Sequence, residues 1–231
     1  MKIKQMSELV ATEFGFSASA AIAIAVLAAA ALLPGHARAD DEGPWVVRLR
    51  AVNLSPANKS DAIPALAVPE NAIHINSKWL PDLDFEYFFT PNWSSELILT
   101  YPQSQTVTIE SSALGGPTRI GTFKHLPPVL TAKYNFLRNG SFRPYIGVGV
   151  NLTLIMDVNL NVPTVGALKL SQPSVGPALQ AGFDYKIAGN WFVNVDFKYV
   201  WLHSDVTLNG ATISTVHADP LLSGVGIAYR F

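Results

Sequence analysis

Between Lys124 and Leu154 the side chains alternate between apolar and polar at every second position, on both sides of a break at Arg138-Asn139-Gly140-Ser141. Before the break Leu130, Ala132, Tyr134 and Phe136 are interleaved with Thr131, Lys133 and Asn135. After it Ile146, Val148, Val150 and Leu152 are interleaved with Tyr145, Gly147, Gly149 and Asn151. Period-two alternation over this length predicts a β-hairpin with one apolar and one polar face. What remains to decide is which face points inward. Charged residues make up 14% of the chain, against about 25% in an average soluble domain, which favours a chain that shows its apolar face to lipid.

The first forty residues carry the marks of a secretory leader. Lys2 and Lys4 precede an apolar run from Ala18 to Leu33, and Pro34-Gly35 breaks it ahead of an A-x-A site at Ala37-Arg38-Ala39. The expected division is a cleaved signal peptide over residues 1–39 and one barrel domain over 40–231. The apolar run is shorter than the ~20 residues that a membrane-spanning helix requires. After Asp40 no continuous apolar stretch reaches that length. A membrane location therefore requires a closed barrel, since only helices and closed barrels satisfy every backbone group in hydrocarbon. With no cysteine in the chain, disulfides, thiolate metal sites and a cysteine nucleophile are excluded. A net charge of −1 without any basic run argues against a nucleic-acid partner.

Eight alternating segments can be laid out along the mature chain, ending with Leu221, Val225, Ile227, Tyr229 and Phe231 on one face. The connections at Thr90-Pro91-Asn92, Arg138–Ser141 and Ile187–Asn190 are short, and the intervening ones are long. Asn209-Gly210 predicts a type I′ hairpin within one of the long ones. Short turns on one side and long loops on the other are the pattern of an eight-stranded antiparallel up-and-down transmembrane β-barrel, with turns in the periplasm and loops outside. Trp45, Phe89, Trp93, Phe136, Phe142, Tyr185, Trp191 and Phe231 fall near the short-turn ends, as an aromatic girdle would. The rival is a soluble barrel with the apolar face inward. The small residues Gly147, Gly149, Gly182, Gly224 and Gly226 on the polar faces suit a crowded lumen better.

With the apolar face toward lipid, Arg48, Arg50, Lys133, Lys198 and Arg230 lie inside with Asp84, Glu86, Glu96, Asp184 and Asp196. A cation at mid-membrane on the outer face would cost about 2–4 kcal/mol, so the alternation fixes their side. Most of these charges belong to the periplasmic half, and an eight-stranded barrel is just wide enough for side chains to fill. The expected result is a salt-bridged plug at the bottom. Above it the inner face carries Val52, Leu54, Ile98, Val200 and Leu202. A lumen closed below and apolar above suits a small hydrophobic ligand better than ion flow.

Several stretches then point to one family. They are Gly43-Pro44-Trp45 with Arg48 and Arg50, Phe88-Phe89-Thr90-Pro91-Asn92 before Glu96, Lys124-His125-Leu126-Pro127-Pro128, Phe142-Arg143-Pro144-Tyr145 with Gly147 and Gly149, Asp219-Pro220, and Tyr229-Arg230-Phe231. In this order they resemble the outer membrane protein W (OmpW) family over residues 43–231. The resemblance implies a small outer-membrane channel or receptor of a Gram-negative bacterium, taking up hydrophobic compounds from outside and releasing them sideways into the bilayer. It implies an apolar constriction, for which Ile98 and Val175 are the candidates here, although strict alternation turns Val175 outward unless Gly176-Pro177 forms a bulge. Phe231 resembles the C-terminal aromatic by which the barrel assembly machinery recognises such proteins. No cofactor is implied; the expected partners are outer-membrane lipid, small hydrophobic ligands and that machinery.

Two other functional classes compete with transport. A lipid A-modifying enzyme would draw on His203 and Ser204, but adjacent residues in a strand point apart, whereas catalysis needs base and nucleophile within hydrogen-bond reach. His74, His125 and His217 show no spacing of a known metal site. A structural or adhesive barrel without transport stays open, since the loops are moderate in length and charge.

Overall fold

The computed structural model describes residues 43–113, 115–163 and 165–231. The expected signal segment, residues 1–39, lies outside them. The strands are β1 (Trp45–Ser55), β2 (Lys59–Ser60), β3 (Ile73–Ile75), β4 (Lys78–Phe88), β5 (Trp93–Leu99), β6 (Gln103–Ile109), β7 (Thr118–Leu126), β8 (Val129–Asn135), β9 (Phe142–Val162), β10 (Gly166–Leu170), β11 (Ser174–Ala188), β12 (Trp191–Val200), β13 (His203–Leu208), β14 (Ala211–His217) and β15 (Leu221–Arg230).

Eight of them close into an antiparallel barrel in the order β1-β4-β5-β8-β9-β11-β12-β15, with β15 returning to β1. The alternation decides which face is outside. Along β12, Trp191 and Phe197 are exposed while Asn194, Asp196 and Lys198 are buried. Along β9, Ile146, Val148 and Val150 are exposed while Tyr145 and Asn151 are buried. A face this apolar and this open to its surroundings requires lipid. Seven of the eight expected girdle rings, Phe89, Trp93, Phe136, Phe142, Tyr185, Trp191 and Phe231, are exposed near the short-turn end. Trp79, Tyr101 and Trp201 ring the opposite end. Phe197→Arg on the lipid-facing wall is expected to lower folding free energy in vesicles by about 2–4 kcal/mol, measured by urea titration.

The long connections are not loops alone. They form a second storey, β2-β14-β13-β10-β9-β7-β6-β3, in which β9 continues upward from the barrel wall. The long connection that follows the wall part of β9, from Ile155 to Gln172, is mostly strand, because its backbone groups pair with β7 and β13. The open edge between β2 and β3 is stitched by Asn58, whose Oδ1 accepts from the Ile75 N–H (2.8 Å). The β13–β14 turn is the predicted type I′ one, with φ of 51° at Asn209 and 87° at Gly210.

The two storeys have opposite interiors. In the spanning part lipid lies outside, so apolar side chains face out and polar ones in. In the upper part water lies outside, and the preference reverses. The inner face of β9 passes from Asn151 and Thr153 to Ile155. A left-handed residue at Asp157 (φ 50°) and a register shift against β7 then move the inward parity to Leu160 and Val162. On β6 the inward residues run Gln103, Gln105, Val107, Ile109, from polar to apolar. The resulting apolar core includes Ile73, Ile120, Phe123, Leu168, Val206 and Val216.

Candidate functional site: a charged lower lumen beneath an apolar chamber

The lower lumen is built by inward-facing residues of seven wall strands. Arg48 on β1 makes a two-point contact with Asp184 on β11, through Nε–Oδ1 (3.1 Å) and Nη2–Oδ2 (2.6 Å). Its guanidinium also reaches Asp84 (3.2 Å) and Glu86 (2.5 Å) on β4. One inward position higher, Arg50 meets Asp84 at 2.8 Å and Asp82 at 3.4 Å, with Asp196 on β12 at 3.6 Å. Glu96 on β5 takes Lys133 Nζ of β8 at 2.7 Å, Lys198 Nζ at 3.1 Å and the Gln180 amide at 2.9 Å. Arg48 and Glu96 are both 0% exposed. Burying such ions is tolerable only where partners and hydrogen bonds replace water, and nearly every one here touches more than one opposite charge.

Nine of the ten anticipated lumen residues thus belong to one network. The tenth, Arg230, lies at the lower rim, where Nε donates to the Gly43 carbonyl (2.7 Å) and the guanidinium stacks on Phe88 at 4.3 Å. Sequence reasoning passed over Asp82, Tyr145, Gln180 and Asn194. Asp82 shares the inward parity of Asp84 and Glu86 and was legible on that ground. Tyr145 donates to Asp196 (2.8 Å), accepts from Asn194 (3.0 Å) and carries the Lys133 ammonium over its ring at 3.7 Å. Its signal was Gly182 on the neighbouring strand: a Cβ there would fall 2.5 Å from the Tyr145 hydroxyl.

Above the network the lumen is filled by an apolar layer. Ile98, Val129, Ala178 and Val200 pack in one cluster, and Leu222 joins it to Val52, Leu54 and Leu80. Ile98 takes its expected inward place. Val175 does not: it is 58% exposed on the outer wall. The β9–β11 pairing runs without a shift from Ser174↔Thr153 through Pro177↔Val150, so there is no bulge at Gly176-Pro177 to turn Val175 inward. In its stead, the residues packed with Ile98 in the apolar layer are Val129, Ala178 and Val200.

Over this layer, inside the upper storey, lies a chamber with about 60 Å³ of room for the centre of a water-sized sphere. A single water needs about 10–15 Å³ by this measure, so the space admits a small organic molecule. Its wall is made by Ile73, Ile75, Val107, Phe123, Ile155, Leu160, Leu168 and Val206 among others, interrupted by Gln105, His125, Thr153 and Ser204. His125 stands in the upper sheet, beyond the spanning strands. Burial and nearby Lys78 pull its pKa down to about 4, so it stays neutral. The three histidines considered for a metal do not gather: His125 lines the chamber, His74 bonds Asn58 (3.0 Å), and His217 faces His203 across a hairpin. Among the described residues no cluster of three or more His, Asp or Glu suited to a metal occurs. His203 is exposed and Ser204 buried, on opposite faces of β13.

The profile of the OmpW family matches the chain over residues 41–231. The chain belongs to the OmpW family. Outer membrane protein W of Vibrio cholerae is 32% identical over 90% of this chain and 97% of its own length. A Pseudomonas aeruginosa protein named for a dibenzothiophene metabolism operon is 28% identical over 83% of this chain and 90% of its own. The crystal structure of the outer membrane protein OprG from Pseudomonas aeruginosa superposes with a TM-score of 0.70 at 27% identity, covering 85% of this chain and 98% of that one. This OmpW-family chain is therefore an outer-membrane β-barrel protein.

Proposed function

We propose that the protein carries small hydrophobic molecules inward across the outer membrane: they enter the upper chamber from outside and leave sideways into the bilayer. The observation that carries this reading is the change of interior. The chamber is walled almost wholly by apolar side chains, and below it, past the apolar layer around Ile98, buried ion pairs span the lumen. An apolar solute gains by entering the first and has nothing to gain from the second. In this reading Arg48, Arg50, Asp84, Glu86, Glu96, Lys133, Asp184, Asp196 and Lys198 act as a plug, Arg230 braces its lower rim, and Ile98 with Val129, Ala178 and Val200 forms the throat.

Support for lateral release comes from the wall beside the chamber. Pairing of β5 with β8 ends at Ile98↔Val129, and pairing of β6 with β7 begins at Gln103↔His125. Pro102, Pro127 and Pro128 occupy the interval and have no N–H to offer. Tyr101, in this seam between the two pairings, is exposed on the outer face.

The protein acts without catalysis in this account, and Phe231, paired to Trp45 through both backbone groups, serves as the signal read by the assembly machinery. The relative named for a dibenzothiophene metabolism operon is in keeping with an apolar cargo. Cells with and without the protein, offered a panel of apolar compounds, test the reading: faster uptake of some of them is expected, and equal uptake across the whole panel refutes it.

A further inference from the structure

The chamber is not uniformly apolar, and its polar side chains are not equally occupied. Thr153 Oγ1 donates to Asn151 Oδ1 (3.0 Å), and Ser204 Oγ donates to the Ser171 carbonyl (3.1 Å). The Gln105 amide nitrogen lies 3.3 Å from His125 Nε2. That nitrogen can only donate, so Nε2 accepts and the imidazole proton sits on Nδ1. This leaves Gln105 Oε1 buried without a partner, in a side chain 1% exposed. One inward step below on the same strand, Gln103 has a second buried Oε1 without a partner. Leaving a buried carbonyl oxygen unsatisfied is costly, because it has given up water without gaining a donor. Two consecutive inward positions carry this cost although Val107 and Ile109, next on the same face, are apolar.

We infer that Gln105, held by His125, is the recognition point for a hydroxyl group on an otherwise apolar ligand. The ligand class is then a small neutral alcohol or phenol, not a bare hydrocarbon. The ligand O–H donates to Gln105 Oε1, while its carbon body lies against Ile155, Leu168 and Val206. A hydroxyl fits the site in either orientation of the amide, because it both donates and accepts. An ionised carboxylate does not fit. No lysine or arginine lines the chamber, and a charge buried there would have no counterion. Gln103, between Gln105 and the seam, gives the same hydroxyl a second station on the way out.

This inference rests on the chamber being the ligand route, and the experiment separates the two. Protein folded into bilayer nanodiscs is titrated with para-ethylphenol and with ethylbenzene, each corrected for uptake by protein-free nanodiscs. One ordinary hydrogen bond corresponds to about a tenfold preference, so wild-type protein is expected to bind the phenol about tenfold more tightly. Gln105→Leu, and Gln105→Met as a second variant of similar bulk, should bring the two ligands to parity with ethylbenzene binding retained. Equal binding of both ligands by wild type overturns this inference alone, as does a phenol preference that survives both substitutions. Binding of neither ligand overturns it together with the transport reading.

Discussion

Replacing Glu96 by alanine is expected to lower the thermal unfolding midpoint of the barrel by about 10 °C. Glu96 is the acceptor shared by Lys133, Lys198 and Gln180, and both arginines lie within 3.6 Å of it. Removing it takes from two buried ammonium groups the carboxylate they share. Breaking a buried ion pair by deleting one partner costs about 3–5 kcal/mol, and each kcal/mol moves the midpoint by about 2–4 °C in a chain of this size. Glu96→Gln keeps the shape and some of the hydrogen bonds, and should fall between the two. Heat-dependent electrophoretic mobility reads all three proteins. If the network also seals the lumen, Glu96→Ala raises single-channel conductance. Unchanged stability and conductance in Glu96→Ala, in Arg48→Ala and in the double variant would show that these ions do not hold the lower barrel shut.

The second large effect concerns the chamber. Val107→Trp places an indole in the chamber from an inward position of β6 that is 4% exposed. The side chain stays apolar, so the core of the upper storey tolerates the chemistry while the free space is lost. Uptake of apolar compounds should fall to the level of cells lacking the protein, with the amount of folded barrel in the membrane unchanged. Val175→Trp, on the outer wall, is the matching control and should leave uptake intact. Retained uptake in Val107→Trp would place the route elsewhere.

The barrel and its lower lumen were legible because one solvent rule holds along the spanning strands. Wherever Leu, Val or Trp recurs at every second residue, the residues between them have to face inward, and the pattern alone puts Arg48, Glu96, Lys133 and Asp196 there. The chamber was not legible for the same reason turned round. Above the membrane the outside is water, the rule inverts, and a displaced parity at Asp157 erases the count that would have carried Ile155 forward to Leu160. Stretches such as Gln103–Ile109 then look like polar loop with a few stray aliphatics, although they are wall. Tyr145 was hidden differently. It shared a face with glycines that read as empty space, when one of their neighbours, Gly182, is small because the tyrosine ring fills that space. Val175 shows the opposite lesson: plain alternation placed it outside, and expectation carried over from the resemblance had to yield to it.

Methyl-labelled protein in bilayer nanodiscs, titrated with an apolar compound and followed by NMR, tests where such a molecule goes. Contacts and shifts are expected at chamber methyls, those of Ile155, Leu160, Leu168 and Val206, with little change at the lipid-facing Val148 and Ile227. Contacts confined to Val148, Ile227 and the rest of the outer wall, with the chamber methyls silent, would mean that the compound merely dissolves in the surrounding lipid and that the barrel provides no path for it.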